Sequence, residues 1–136
     1  MNQNPAILYV EDDTLSRKVM QMLLRGTMKL EHVTIFEDSS NFIEKALALD
    51  PKPEVIFLDI HMNPIDGFEM LELLRASEQF QSSYIVAMTA SVMNEEVAKL
   101  QSAGFDGCIA KPIDKNRFPG LLESILKGET VWSIFS

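Results

Sequence analysis

The chain has a single cysteine, Cys108, so no internal disulfide can staple it. No run approaches the about 20 apolar residues that a membrane-spanning helix needs. The start, from Met1 to Pro5, lacks the charged flank and long apolar segment of a secretion signal. No stretch rich in proline, glycine and serine is long enough to act as a linker, so the 136 residues are expected to form one domain around one core. Positive charge is also scarce: 12 Lys and Arg against 20 Asp and Glu leave a formal charge of -8. That field disfavours nucleic acid and anionic membranes, and leaves proteins or cations as partners. A reducing cytoplasm is the expected compartment.

What the chain does have is a set of short apolar runs that each end in a polar side chain. Ile7 to Val10 ends in Glu11 and Asp12, Val55 to Leu58 in Asp59, Tyr84 to Met88 in Thr89, and Cys108 to Ala110 in Lys111. In an open parallel sheet the ligand crevice lies beyond the carboxyl ends of the strands, so these side chains should converge. Three acids, a hydroxyl and a lysine are the parts needed to hold a divalent metal and a phosphoryl group.

Between these runs the spacing predicts helices. Asp13 or Thr14 caps a helix with Leu15, Val19, Met22 and Leu23 inward. Glu31 to Phe36 reads as a strand. Asp38-Ser39-Ser40 turns into a helix with Phe42, Ile43, Ala46 and Leu47 on one side, ended by Pro51-Lys52-Pro53. Asp66-Gly67 opens a helix with Met70, Leu71 and Leu74 inward, and a helix through Val97, Leu100 and Ala103 stops at Gly104. Phe118, Leu121, Leu122 and Ile125 mark a last helix, whose first turn Pro119 should bend or delay. Five strand and helix pairs in alternation imply an α/β fold, a parallel sheet with helices on both faces.

The segments Ile7 to Asp13, Phe57-Leu58-Asp59, Asp66-Gly67, Met88-Thr89-Ala90 and Lys111-Pro112-Ile113 resemble, in that order and spacing, the receiver domain of two-component response regulators. Ser16-Arg17 and the stretch from Ala103 to Gly107 are similar to receivers of hybrid histidine kinases. The resemblance implies a flavodoxin-like (βα)5 three-layer sandwich of strand order 2-1-3-4-5, with a receiver over 1–128 and a tail over 129–136. It implies that Asp59 is the phosphoacceptor, taking its group from a histidine kinase or histidine phosphotransfer domain, and that Lys111 and Thr89 bind the phosphoryl oxygens. Mg²⁺ is the implied cofactor, with Asp12, Asp59 and the main-chain carbonyl of His61 as ligands and Glu11 on a water. It further implies a cis peptide before Pro112, a downstream protein target, a monomer or weak dimer, and no enzymatic activity beyond self-phosphorylation and slow self-dephosphorylation.

Competing readings stand beside these. Asp13 reads as a capping or solvated acid, His61 equally as a tuning residue or an exposed loop histidine, and the methionines as core filling. A binding module of the same fold that needs no phosphorylation would be expected to lose the acids or the lysine. A phosphatase with a D-x-D signature requires an acid where His61 stands, and a flavodoxin requires a phosphate loop after the first strand. Three departures from the family pattern matter. Asn63 replaces a proline, with Pro64 displaced by one; Cys108 stands where an aromatic gate is usual; and the tail packs on the domain, joins two subunits or is the stub of a longer protein.

Overall fold

The computed structural model describes residues 4–91 and 93–133. Burial separates central strands from edge strands. β1 (Ala6–Val10) and β3 (Val55–Asp59) are buried along their whole length, β4 (Tyr84–Thr89) from its second residue, whereas β2 (His32–Phe36) buries only Val33. That is the expected contrast between strands covered on both faces and a strand at a sheet margin. β5 is Gly107–Ala110. All pairings are parallel, and the order β2-β1-β3-β4-β5 is the expected 2-1-3-4-5.

The helices are α1 (Thr14–Gln21), α2 (Phe42–Leu47), α3 (Gly67–Arg75), α4 (Asn94–Ala103) and α5 (Phe118–Leu126). Because alternate strand residues face opposite ways, the core is divided in two by the sheet. Leu8, Val10, Ile56 and Leu58 meet Phe42, Met70 and Leu100 of α2 to α4 on one face. Ile7, Tyr9 and Phe57 meet Met20 of α1 and Phe118 and Leu122 of α5 on the other. Asp66 caps α3 through a reciprocal capping box with Glu69, Gly104 ends α4 at φ 110°, and Pro119 sits harmlessly in the first turn of α5.

The first helix departs from expectation. Leu15 is 70% exposed and Met22 49%, while Met20, Leu23 and Leu24 are buried and Val19 half-buried. Two apolar stripes coexist in this segment. The covered stripe carries Met20 and Leu24, and Arg17 on the same side donates to the Glu11 carbonyl at 3.0 Å. The helix then widens into a π-helical stretch, Met22–Thr27, that lets Leu23 and Leu24 both reach the core. In α2, Phe42 and Ala46 are buried, Leu47 is 40% exposed, and the helix ends before Pro51.

A sixth strand, β6 (Trp132–Ser133), extends the sheet beyond β5. It runs parallel to β5, pairing Trp132 with Cys108 and Ser133 with Ile109. The Tyr84 hydroxyl donates to the Glu129 carbonyl and accepts from the Val131 N–H, each at 3.0 Å, and the Cys108 N–H donates to the Val131 carbonyl at 2.8 Å. Ile134, Phe135 and Ser136 lie outside the described residues. Gly107 allows the segment to pass, since a Cβ there would sit 2.6 Å from the Val131 oxygen.

Gly107→Ala should therefore destabilise the full chain by about 1–3 kcal/mol in urea unfolding, as overpacking does. The loss should shrink in a chain ending at Gly128. Equal losses in both chains would show that the strand contact is not its source.

Candidate functional site

The strand registers bring the polar ends to one place. β1 and β3 are adjacent, with Val10 beside Leu58; Asp59 lies beside Met88, and Thr89 beside Ala110. Glu11, Asp59, Thr89 and Lys111 thus rise at the carboxyl edge of four neighbouring strands, at the point where the chain order reverses direction. Hydrogen bonds extend the ladder past the strand ends: Ile60 N–H donates to the Met88 carbonyl at 3.1 Å and Lys111 N–H to the Thr89 carbonyl at 2.8 Å.

One carboxylate oxygen each of Glu11, Asp12 and Asp59 lies within 4.8 Å of the other two. Glu11 is fully buried, Asp59 is 4% exposed, and Asp12 is exposed. The Lys111 ammonium bridges the two buried acids, 2.9 Å from Glu11 Oε1 and 3.2 Å from Asp59 Oδ2. The backbone N–H of His61 donates to Asp59 Oδ1 at 3.2 Å, and the His61 side chain is exposed. Glu11 also accepts from the Tyr9 hydroxyl at 2.9 Å and from the Asp13 N–H at 3.2 Å. Asp13 itself caps α1, accepting from the Ser16 N–H at 2.8 Å. Thr89 spends its hydroxyl within its own loop: Oγ1 donates to the Ser91 carbonyl at 3.2 Å and accepts from the Ser91 N–H at 3.1 Å. Ala90 beside it is exposed, and Val92 lies outside the described residues.

One ammonium cannot neutralise three carboxylates, and the acid strengths reflect that. Burial, followed by the closeness of Glu11, pushes Asp59 up to about 6. Burial opposes the charge on Glu11 too, but hydrogen bonding with the Asp59 carboxyl, then with Lys111, the Asp13 N–H and Tyr9, outweighs that and holds it below the usual range. Lys111 would be lowered by burial, yet its two acidic partners hold it raised. The donor set is oxygen only, anionic and partly open to solvent, which suits a hard divalent cation such as Mg²⁺.

The loop after Asp59 carries Asn63 and Pro64 with a cis peptide between them. Ser39 pins it, donating from Oγ to the Ile65 carbonyl at 2.6 Å and accepting from the Ile65 N–H at 2.9 Å. Gly67 closes it: its N–H donates to the Ile60 carbonyl at 3.0 Å, and a Cβ there would lie 2.9 Å from Ile60 Cα. The peptide before Pro112 is cis. Cys108 is buried next to Trp132, and burial pushes its thiol up to about 11, so it offers no nucleophile. No helix among the described residues is long and apolar enough to cross a membrane.

A family model described as the response regulator receiver domain matches residues 7–123. The signal transduction histidine-protein kinase BarA of Escherichia coli K12 is 28% identical over 116 residues, covering 85% of this chain but only 12% of that protein. The polar-differentiation response regulator DivK of Brucella ovis is 26% identical over 121 residues, covering 89% of this chain and 95% of DivK. Among solved structures, the chemotaxis response regulator CheY4 of Vibrio cholerae superposes with a TM-score of 0.79 at 21% identity, covering 89% of this chain and 98% of that one. This last likeness is one of fold.

The charge crowding makes a signed prediction for metal-free protein. Because Asp59 is raised from 3.8 to about 6, the folded state holds a proton that the unfolded state has lost between those values, so this group's contribution falls as pH rises through 6. Asp59→Asn has no such charge to accommodate. With EDTA present it should exceed wild type in stability by on the order of 1–3 kcal/mol at about pH 7.5, and by about half as much at about pH 5, which lies between the unfolded and folded values. Urea midpoints at the two pH values test this; a gap that widened toward acid would refute the assignment of repulsion to Asp59.

Proposed function

Because the chain belongs to the response regulator receiver domain family, we propose that it accepts a phosphoryl group on Asp59 from a phosphohistidine and signals through phosphorylation-controlled protein contacts. The observation that carries this reading is the single ammonium of Lys111 set 3.2 Å from Asp59 inside a pocket of three carboxylates. A purely structural acid at a strand end needs neither the lysine nor the two companion acids.

In this reading an Asp59 oxygen attacks phosphorus, the bond from phosphorus to the donor imidazole nitrogen breaks, and the imidazole leaves to take up a proton. The product is an acyl phosphate on Asp59. Asp12, Asp59 and the main-chain carbonyl of His61 would hold Mg²⁺, with Glu11 in its outer sphere. When bound, such an ion would supply positive charge that lets the acids ionise together and offsets charge on the transferring group. Lys111, which pairs with Asp59 and Glu11 at rest, is a mobile point charge that exchanges both carboxylates for a phosphoryl oxygen. Thr89 gives up its bonds to Ser91 and donates its hydroxyl to another, which draws its loop inward. Ala90, small and exposed, leaves the approach to Asp59 open. Water then slowly hydrolyses the acyl phosphate.

The donor would be a histidine kinase or a histidine phosphotransfer domain, and the receiver unit would occupy residues 1–128 with 129–136 appended to it. The free, buried thiol of Cys108 suits a cytoplasmic location. The charge of -8 favours protein over nucleic acid as the output partner.

Intact-mass analysis after incubation with Mg²⁺ and phosphoramidate should show one phosphoryl adduct, absent from Asp59→Asn. No adduct under conditions that label a known receiver would overturn the reading. Thr89→Ala should still take the label while losing most of the hydrogen-exchange change that beryllofluoride, standing in for the phosphoryl group, produces in the loop after β4. An undiminished change in that variant would remove Thr89 from the switch.

A further inference from the structure

Glu11 is the only charged residue with no exposure at all among the described residues. A buried carboxylate keeps its orientation only through its donors, and each donor lost is costly. Its oxygen Oε1 has two side-chain donors, the Tyr9 hydroxyl and the Lys111 ammonium, both at 2.9 Å. They differ in permanence. Lys111 is divided between Glu11 and Asp59 and sits on a flexible stem with part of its side chain exposed. In the proposed reaction it is the group that moves.

Tyr9 has no such freedom. It is fully buried, its ring meets Phe57 edge to face at 6.5 Å, and Phe57 in turn packs on Phe118 of α5 at 5.6 Å. Tyr9 and Glu11 stand two residues apart along the end of β1, so both side chains leave the sheet on one side. The phenol is protonated near neutral pH and acts as a donor. It therefore reaches the underside of the carboxylate from the core, while Lys111 reaches it from the site.

We infer that Tyr9 is a positioning residue, holding the Glu11 carboxylate in its place in the acid cluster when Lys111 leaves it for the phosphoryl group. This rests on the reading of Glu11 as an outer-sphere group of the metal site. Without the phenol, departure of Lys111 would leave Oε1 buried with no side-chain donor, and the carboxylate would turn toward solvent or hold the lysine back. The acid cluster would then bind a divalent cation less well even before any phosphoryl group arrives, because the orientation of Glu11 would no longer be set from the core side.

Mg²⁺ titration by calorimetry on wild type, Tyr9→Phe and Asp12→Ala separates the possibilities. Phenylalanine keeps the ring and removes only the hydroxyl, so the Mg²⁺ dissociation constant should rise about tenfold, as loss of a supporting hydrogen bond around a metal site does. In a Glu11→Gln background the same change should add little, since the two groups act as one unit. A merely structural tyrosine would lower the unfolding midpoint and leave the dissociation constant where it was. A second measurement needs no variant. The chain has two tyrosines, and Tyr84 is engaged with the tail; with ¹³Cζ-labelled tyrosine, Mg²⁺ should shift the Tyr9 resonance and leave that of Tyr84 in place. If wild type binds Mg²⁺ but Tyr9→Phe binds it equally, or the Tyr9 resonance stays still, Tyr9 does not position the site. If wild type binds no Mg²⁺ and Asp12→Ala matches it, the metal reading fails and takes this inference with it.

Discussion

Like-charge crowding at the ends of two adjacent strands is the constraint on which the rest of the structure depends. Three carboxylates with oxygens within 4.8 Å of one another, two of them buried, face one lysine ammonium. Such an arrangement is unfavourable in itself, because burial and mutual repulsion both oppose ionisation. It persists only if the surrounding fold over-determines the position of each acid. The sheet does so through register. A slip of one residue between β1 and β3 would turn Glu11 and Asp59 to opposite faces and separate the two acids that Lys111 bridges. Strands buried on both faces make that slip prohibitive.

The elements around the site can each be understood as holding one corner of it. Arg17 ties α1 to the Glu11 carbonyl and makes an ion pair with Glu37 at 3.2 Å, so the loop carrying Asp12 is held from both the helix and the end of β2. Ser39 and Gly67 fix the loop after Asp59, and the capping box of Asp66 anchors the start of α3. Thr89 is held differently: its backbone stays in the sheet ladder, but its hydroxyl is bonded to Ser91 of its own loop, which leaves that hydroxyl the group of the site most easily redirected. Acids fixed by the sheet beside a hydroxyl bonded within its own loop would suit the phosphorylation switch proposed for this site.

At the far margin of the sheet a different problem is solved. β5 would expose a row of unpaired backbone groups, and such edges invite pairing with other chains. β6 covers part of it, held by the Tyr84 hydroxyl and admitted by Gly107. This contact also places Trp132 beside Cys108, so the thiol that stands in an aromatic's usual place has an indole as its neighbour on the next strand.

The apolar runs and the polar residues that end them were enough to place β1, β3, β4 and β5, to put Glu11, Asp12, Asp59, Thr89 and Lys111 at one edge, and to find the inward faces of α3 and α5. Those features are local: a run buried on both sides looks apolar throughout, and a helix cap lies within four residues of the turn it serves. The face of α1 was not legible, because two apolar stripes compete there and local spacing does not say which of them the sheet covers. Nor was β6, whose two residues carry no periodicity and whose place is set by Tyr84, 47 residues before the Val131 amide that it accepts. The role of Tyr9 was hidden for a related reason, since a tyrosine in an apolar strand reads as core until the carboxylate above its hydroxyl is seen. Sequence alone thus determined which groups the site contains, through side-chain chemistry at strand ends. Tertiary structure alone decided which of them touch, because hydrogen bonds and ion pairs depend on distances of a few tenths of an ångström that only packing sets.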